Sequence, residues 1–126
     1  MPLAPPAPER AGSAAVFGLS AVDCHGRIND RSILRSLGWV GGLRLAIQER
    51  AGLIVVVAEP GGVFCVSRQG YLQLPAVVRG WCGLAAGDRV FLAVDAGRSR
   101  MVVHPPAAIE AMVVAVHAAV WGGDQP

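Results

Sequence analysis

The chain contains no lysine: all 11 of its basic residues are arginine. A GC-rich genome, favouring Arg, Ala, Gly and Val codons, accounts for the count, so functional information rests in where the arginines fall. Arginine offers a planar fork of five donors suited to phosphates and guanine edges. The net charge of +2 is too small to announce a nucleic-acid binder on its own. Cysteine is scarce too. Cys24, Cys65 and Cys82 are an odd set without a CxxC pair, which argues against a disulfide framework and suits a reducing cytoplasm. Together with His25, His104 and His117 they match no zinc spacing, so no metal site is expected. The glycine pairs lack the Lys-Ser/Thr of a phosphate loop. No Ser/His/Asp or paired-carboxylate spacing stands out, and the expectation is a protein that is not an enzyme, with no catalytic residues and no cofactor. No basic segment followed by an apolar run opens the chain. The longest apolar stretch, Ala107 to Trp121, is interrupted by Glu110 and His117 and is short for a bilayer, so no membrane partner is expected.

What is abundant is glycine (16), proline (9) and apolar residues (53%), the composition of a β-rich chain with many turns, at a length suited to one compact domain. Residues 1–15, with Pro2, Pro5, Pro6 and Pro8, are expected to be a disordered arm. Phe17 to Val22 suits a strand, and Asp23 to Gly26 a turn. Asp30 can N-cap a helix reaching about Leu37, ended by Gly38. Arg44 to Glu49 alternates with Leu45 and Ile47 on one face. Ala51-Gly52 suits a hairpin leading into the Val-rich strand Leu53 to Ala58. The pattern then recurs: a strand from Val63 to Ser67, a turn at Gln69-Gly70, and a short strand from Tyr71 to Leu74. Pro75 stands at a first helical position, and the helix ends at Cys82-Gly83. A strand from Arg89 to Val94, a hairpin at Ala96-Gly97 and a strand from Arg100 to His104 complete the second copy. Trp39 and Trp81 are expected as core anchors near the two helix ends. Arg44 and Arg89 are expected to pair with acids such as Asp88.

The two copies span residues 16–60 and 61–105. Gly26 aligns with Gly70 and Val22 with Val66. After a one-residue change of offset near the helix, Gly38, Gly42, Arg44, Ala51, Gly52, Val57 and Pro60 align with Gly83, Gly87, Arg89, Ala96, Gly97, Val102 and Pro105. Most matches are turn-forming residues, so the repeat is one of architecture. Neither copy alone covers its own sheet face, whereas two in one chain cover each other.

The second copy runs Val66-Ser67-Arg68-Gln69-Gly70-Tyr71-Leu72-Gln73-Leu74-Pro75-Ala76-Val77-Val78-Arg79, then Cys82-Gly83-Leu84 and Gly87-Asp88-Arg89-Val90. In order and spacing it resembles the AbrB/MazE/SpoVT family: a strand, a turn glycine, a short strand ending in Ile-Pro or Leu-Pro, an arginine-bearing helix, then Leu-Gly-Leu (here with Cys82 in the first place) and Gly-Asp. The first copy carries Gly26-Arg27 and Leu37-Gly38-Trp39, with Asp30-Arg31 where the Leu-Pro would stand. The resemblance implies a mainly β fold with short helices. It would be a tandem swapped-hairpin, AbrB-like barrel formed as an intrachain pseudo-dimer, followed by a C-terminal helix over 106–121 and a tail at 122–126.

The function it implies is that of a DNA-binding transcriptional regulator with double-stranded DNA as partner, cytoplasmic and nucleoid-associated when bound. Arg27 matches the arginine after the turn glycine. Tyr71 takes that position in the second copy, so the binding face need not be symmetric or demand a palindromic site. Arg79 matches the helix arginine, with Arg35 its counterpart in the first copy. By position, Arg31 and Arg68 join them, and Gln69 and Gln73 can hydrogen-bond bases or phosphates. Two further readings are a MazE-like antitoxin of a toxin–antitoxin pair and a protein-interaction scaffold that has lost DNA binding. In the last helix Ile109, Met112, Val113, Val116 and Val120 share a broad face. It serves either as a lid on the core or as a surface for self-association or a protein partner.

Overall fold

The computed structural model describes residues 15–122; residues 1–14 of the expected arm and 123–126 of the expected tail lie outside them. In chain order the elements are β1 (Ala15–Ala21), β2 (Arg27–Ile28), α1 (Arg31–Ser36), β3 (Arg44–Arg50), β4 (Leu53–Ala58), β5 (Phe64–Cys65), β6 (Leu72–Gln73), α2 (Ala76–Trp81), β7 (Arg89–Asp95), β8 (Arg100–His104) and α3 (Pro106–Trp121). Alternation builds the strands: Leu45 and Ile47, Ile54 and Val56, Val90, Leu92 and Val94, and Met101 and Val103 all point into one core. Asp30 caps α1 by accepting the Ser32 backbone N–H at 2.9 Å. Pro75 sits one place earlier than expected, as the extended residue preceding α2. Both short helices stop at a left-handed glycine, Gly38 (φ 71°) and Gly83 (φ 63°). Among the described residues no helix is long and apolar enough to cross a membrane.

Six strands form one antiparallel sheet in the order β1-β7-β8-β4-β3-β5, and β2 pairs with β6 in a second, two-stranded sheet. Among the described residues two of the ladders, β3–β4 and β7–β8, are hairpins, and every other one joins the first half of the chain to the second. The registers correspond. Ala21 faces Arg89 where β1 meets β7, and Cys65 faces Arg44 where β5 meets β3. In β4–β8, Ile54 faces Val103 and Val56 faces Met101, on either side of the Val55–Val102 pair.

The sheet is not the closed barrel that the resemblance implied: it is open, with β1 and β5 at its edges. The strand expected from Val63 to Ser67 shrinks to Phe64–Cys65, which is too short to continue the ladder to β1. Gly62 before it lies so close to the Leu45 backbone that no side chain fits. After it, Val66 bonds back to Leu43 (3.0 Å), leading into the next turn. Packing joins the two ends instead, since Val22, Ile28, Val66, Leu72 and Leu74 share the core under the sheet.

Four further expectations change. The first hairpin is a two-residue loop with Ala51 and Gly52 both left-handed (φ 51° and 81°). The second is longer: a 3-10 turn over Ala96–Arg98, then Ser99 at φ 49°. There the Asp95 carboxylate accepts the Arg98 N–H and lies 3.4 Å from Arg100 Nε. The extra residues place Met101 where Ile54 stands and Val103 where Val56 stands, so the alignment of Gly52, Val57 and Pro60 with Gly97, Val102 and Pro105 does not hold. Trp39 is buried and donates to Ser99 Oγ at 3.0 Å, whereas Trp81 is 65% exposed and anchors no core. Leu84, following Gly83 as Trp39 follows Gly38, takes the corresponding core position. Arg44 donates to the Gly62 carbonyl (3.2 Å), and the Asp88 carboxylate accepts the Ala85 N–H (2.8 Å) rather than either arginine. Finally, α3 is no lid: it touches β7 and β8 near its start, and none of its residues is buried.

Candidate nucleic-acid interface

Two turns, one from each half, lie side by side because β2 pairs with β6, placing Arg27 opposite Gln73 and Ile28 opposite Leu72. Each is wired in the same way. In the first, Gly26 N–H donates to the Asp23 carbonyl (3.0 Å), Asp23 N–H to the Arg27 carbonyl (2.9 Å), and Arg27 N–H to Asp23 Oδ1 (2.9 Å). In the second, Gly70 N–H donates to the Ser67 carbonyl (2.9 Å), Ser67 N–H to the Tyr71 carbonyl (3.0 Å), and Tyr71 N–H to Ser67 Oγ (3.0 Å). Gly26 and Gly70 take φ of 80° and 86°, which L-residues with a Cβ adopt only with strain.

The side chains on these turns differ. Arg27 Nε meets Asp23 Oδ2 at 2.7 Å. Desolvation alone would raise the Asp23 pKa, but hydrogen bonds from the Arg27 and His25 backbones and the Arg27 side chain outweigh it and hold the carboxyl below its ordinary value. The same contact raises the Arg27 guanidinium. Tyr71 lies between two arginines, its ring centroid 5.4 Å from Arg27 Cζ and 5.0 Å from Arg31 Cζ, within cation–π range of both. Arg31 Nη1 also donates to the Gln69 carbonyl at 3.3 Å, tying α1 to the second turn.

Beside that turn opens a cleft of about 210 Å³ lined by Arg31, Arg35, Arg68 and Gln69, with Trp39, Gly41 and Gly70 among its walls. Among the described residues no acidic one lines it, and none of these three arginines has a carboxylate partner. Gly41 is what lets the walls approach: a Cβ there would fall 2.9 Å from the Ser67 carbonyl oxygen. Four of the seven candidates thus meet at one cleft. The other three cluster at the first turn. Arg27 carries its ion pair, Gln73 Nε2 donates to the His25 carbonyl at 2.8 Å, and Arg79 Nε donates to the Leu74 carbonyl at 3.1 Å.

Arg79 is packed against Gly26 so closely that a Cβ on the glycine would fall 2.6 Å from its Nε. Its expected counterpart also changes. Each helix ends with a bond from the residue after its left-handed glycine, Trp39 N–H to the Leu34 carbonyl (3.0 Å) and Leu84 N–H to the Arg79 carbonyl (2.9 Å). Arg79 therefore corresponds to buried Leu34, not to Arg35. The shift arises because one residue, Asn29, separates Ile28 from the cap of α1, whereas Gln73 and Leu74 separate Leu72 from that of α2.

Asp23 pairs with an arginine as a local carboxylate in the sequence can, whereas Tyr71 was not marked as an organiser of the site. The signal for Tyr71 was its alignment with Arg27, since residues at corresponding places in paired turns meet. Among the described residues no group of His, Cys, Asp and Glu is placed to hold a metal ion. No protein-family model, curated protein or solved structure matches the chain.

Proposed function

We propose that the chain is a DNA-binding transcriptional regulator of the AbrB/SpoVT type, its halves arranged as an intrachain pseudo-dimer with swapped hairpins. The exchange of edge strands between halves, with corresponding registers, supports that arrangement. The observation that carries the DNA reading is the cleft at the second turn. Arg31, Arg35 and Arg68 converge there with no carboxylate among the described residues beside them, a geometry suited to the phosphate oxygens of one stretch of backbone. Gln69 stands beside them with an amide able to read a base edge. The first turn contributes less free charge, because Arg27 is already ion-paired and Arg79 is held by a carbonyl. The bound duplex is therefore contacted asymmetrically.

Fluorescence anisotropy with genomic fragments over a salt series tests this. Removing two phosphate contacts with Arg35→Ala plus Arg68→Ala should lower the slope of log affinity against log salt by about 2. It should weaken binding by roughly a hundredfold, at about 1.4 kcal/mol for each charge-assisted contact. Unchanged affinity and slope in that double variant would overturn the proposal.

A further inference from the structure

We propose that α3 pairs with α3 of a second copy of the chain, antiparallel and about a two-fold axis. The inference rests on this helix alone and is independent of DNA binding. From Ala111 to Trp121 every residue is exposed, including Met112, Val113, Val114, Val116, Val120 and Trp121 at 40–63%. A helix of this length, about 24 Å, is marginal in water by itself. One that is apolar on most sides is normally covered.

The pattern on the helix selects the cover. Ile109, Val113, Val116 and Val120 follow one another at steps of four, three and four residues, the spacing of a coiled-coil seam. The helix carries only two other polar groups, Glu110 and His117. They stand seven residues apart on one flank of that seam. When two such helices run antiparallel, Val113 of one layers with Val116 of the other, and Glu110 of each comes beside His117 of its mate. The seam thus layers on itself, and each Glu110 carboxylate meets an imidazole able to donate a hydrogen bond to it. A parallel pair would set Glu110 beside Pro105 or Met112 and gain nothing.

A lipid surface fits less well, since α3 has no arginine for anionic headgroups and carries an acid. The apolar surface also extends past the helix. Phe17 stacks on Phe91 at 5.7 Å, and Phe91 meets His104, which lies just before α3, edge-on at 5.5 Å. Phe17 and Leu19 are both 61% exposed on that side. Together with the exposed part of the seam they leave several large apolar side chains open to solvent, the kind of surface that a partner covers.

Sedimentation equilibrium of the full chain reads the outcome. The chain should be a dimer in the micromolar range. Val116→Glu, in the seam, should render it monomeric, and Ala118→Glu, on the far side of the helix, should leave the dimer intact. Thermal unfolding of Val116→Glu should match that of the diluted parent, because no α3 residue is buried in the fold. Glu110→Arg should weaken the dimer at least tenfold, and adding His117→Glu should restore it. A monomeric parent, a Val116→Glu dimer, or equal damage from Ala118→Glu overturns the pairing, and failure of the double exchange to restore it overturns the antiparallel arrangement. Flotation of a monomeric parent with phosphatidylcholine vesicles would overturn it in favour of a lipid surface.

Discussion

The turn at Asp23–Gly26 and the turn at Ser67–Gly70 carry the same three backbone-anchoring hydrogen bonds on different side chains. A carboxylate and a hydroxyl serve equally as acceptor for the residue after the glycine, so the backbone shape survives while the chemistry around it diverges. The first turn is closed over: Arg79 packs on Gly26, Gln73 holds the His25 carbonyl, and Arg27 is paired with Asp23. The second is open, with nothing near the place of a Cβ on Gly70 and three arginines in the adjoining cleft. The two copies thus differ in what they leave uncovered: one turn braces the two halves, and the other keeps its arginines open to solvent.

The largest test of that difference is alanine at each turn glycine. Gly70→Ala should cost about 1–2 kcal/mol, the strain of a left-handed residue with a Cβ. Gly26→Ala should cost clearly more, because its Cβ would also stand 2.9 Å from the Leu74 carbonyl oxygen, which is backbone and cannot swing aside. Thermal unfolding of the two variants should show that order; equal losses would show that the first turn is not closed over.

Arginine truncation gives the next contrast. Arg79 is half-buried and donates to a backbone carbonyl, so Arg79→Ala should destabilise by about 1–2 kcal/mol. Exposed Arg35 makes no hydrogen bond with the rest of the fold among the described residues, and Arg35→Ala should change stability by less than about 0.5 kcal/mol. For DNA affinity the order should reverse. Denaturant unfolding and anisotropy on the same two proteins check both halves of that statement.

The sequence made legible what is determined within a few residues. The turn glycines, the Asp30 cap and the alternation of β3 were all visible, because each follows from local backbone geometry or a period of two. What was hidden depends on distant partners. The sheet's open edge turns on β5 being only two residues long, which is set by how Gly62 and Val66 meet β3. The length of the second hairpin depends on Asp95 gathering Arg98 and Arg100. The identity of Trp39 rather than Trp81 as the buried tryptophan follows from its place after a left-handed glycine. At the site, the arginines were visible as residue types. Their division into paired, braced and free could be seen only once β2 and β6 had brought the two turns together.

The smallest expected effect concerns acid. Asp23 is held below its ordinary value near 3.8, so the folded protein keeps the carboxylate ionised where the unfolded chain would take up a proton. The stabilisation is present above the ordinary value and is lost as pH falls through the depressed one. Ser67, at the corresponding place, has no such titration. Asp23→Ser converts the first turn to the chemistry of the second. It should lower stability slightly at neutral pH and flatten the loss of stability below about pH 4. Equilibrium unfolding followed from neutral pH into the acid range should show parent and variant curves converging as pH falls. Parallel curves would mean that the Asp23–Arg27 pair contributes no pH dependence, and that the two turns differ only in what they leave exposed.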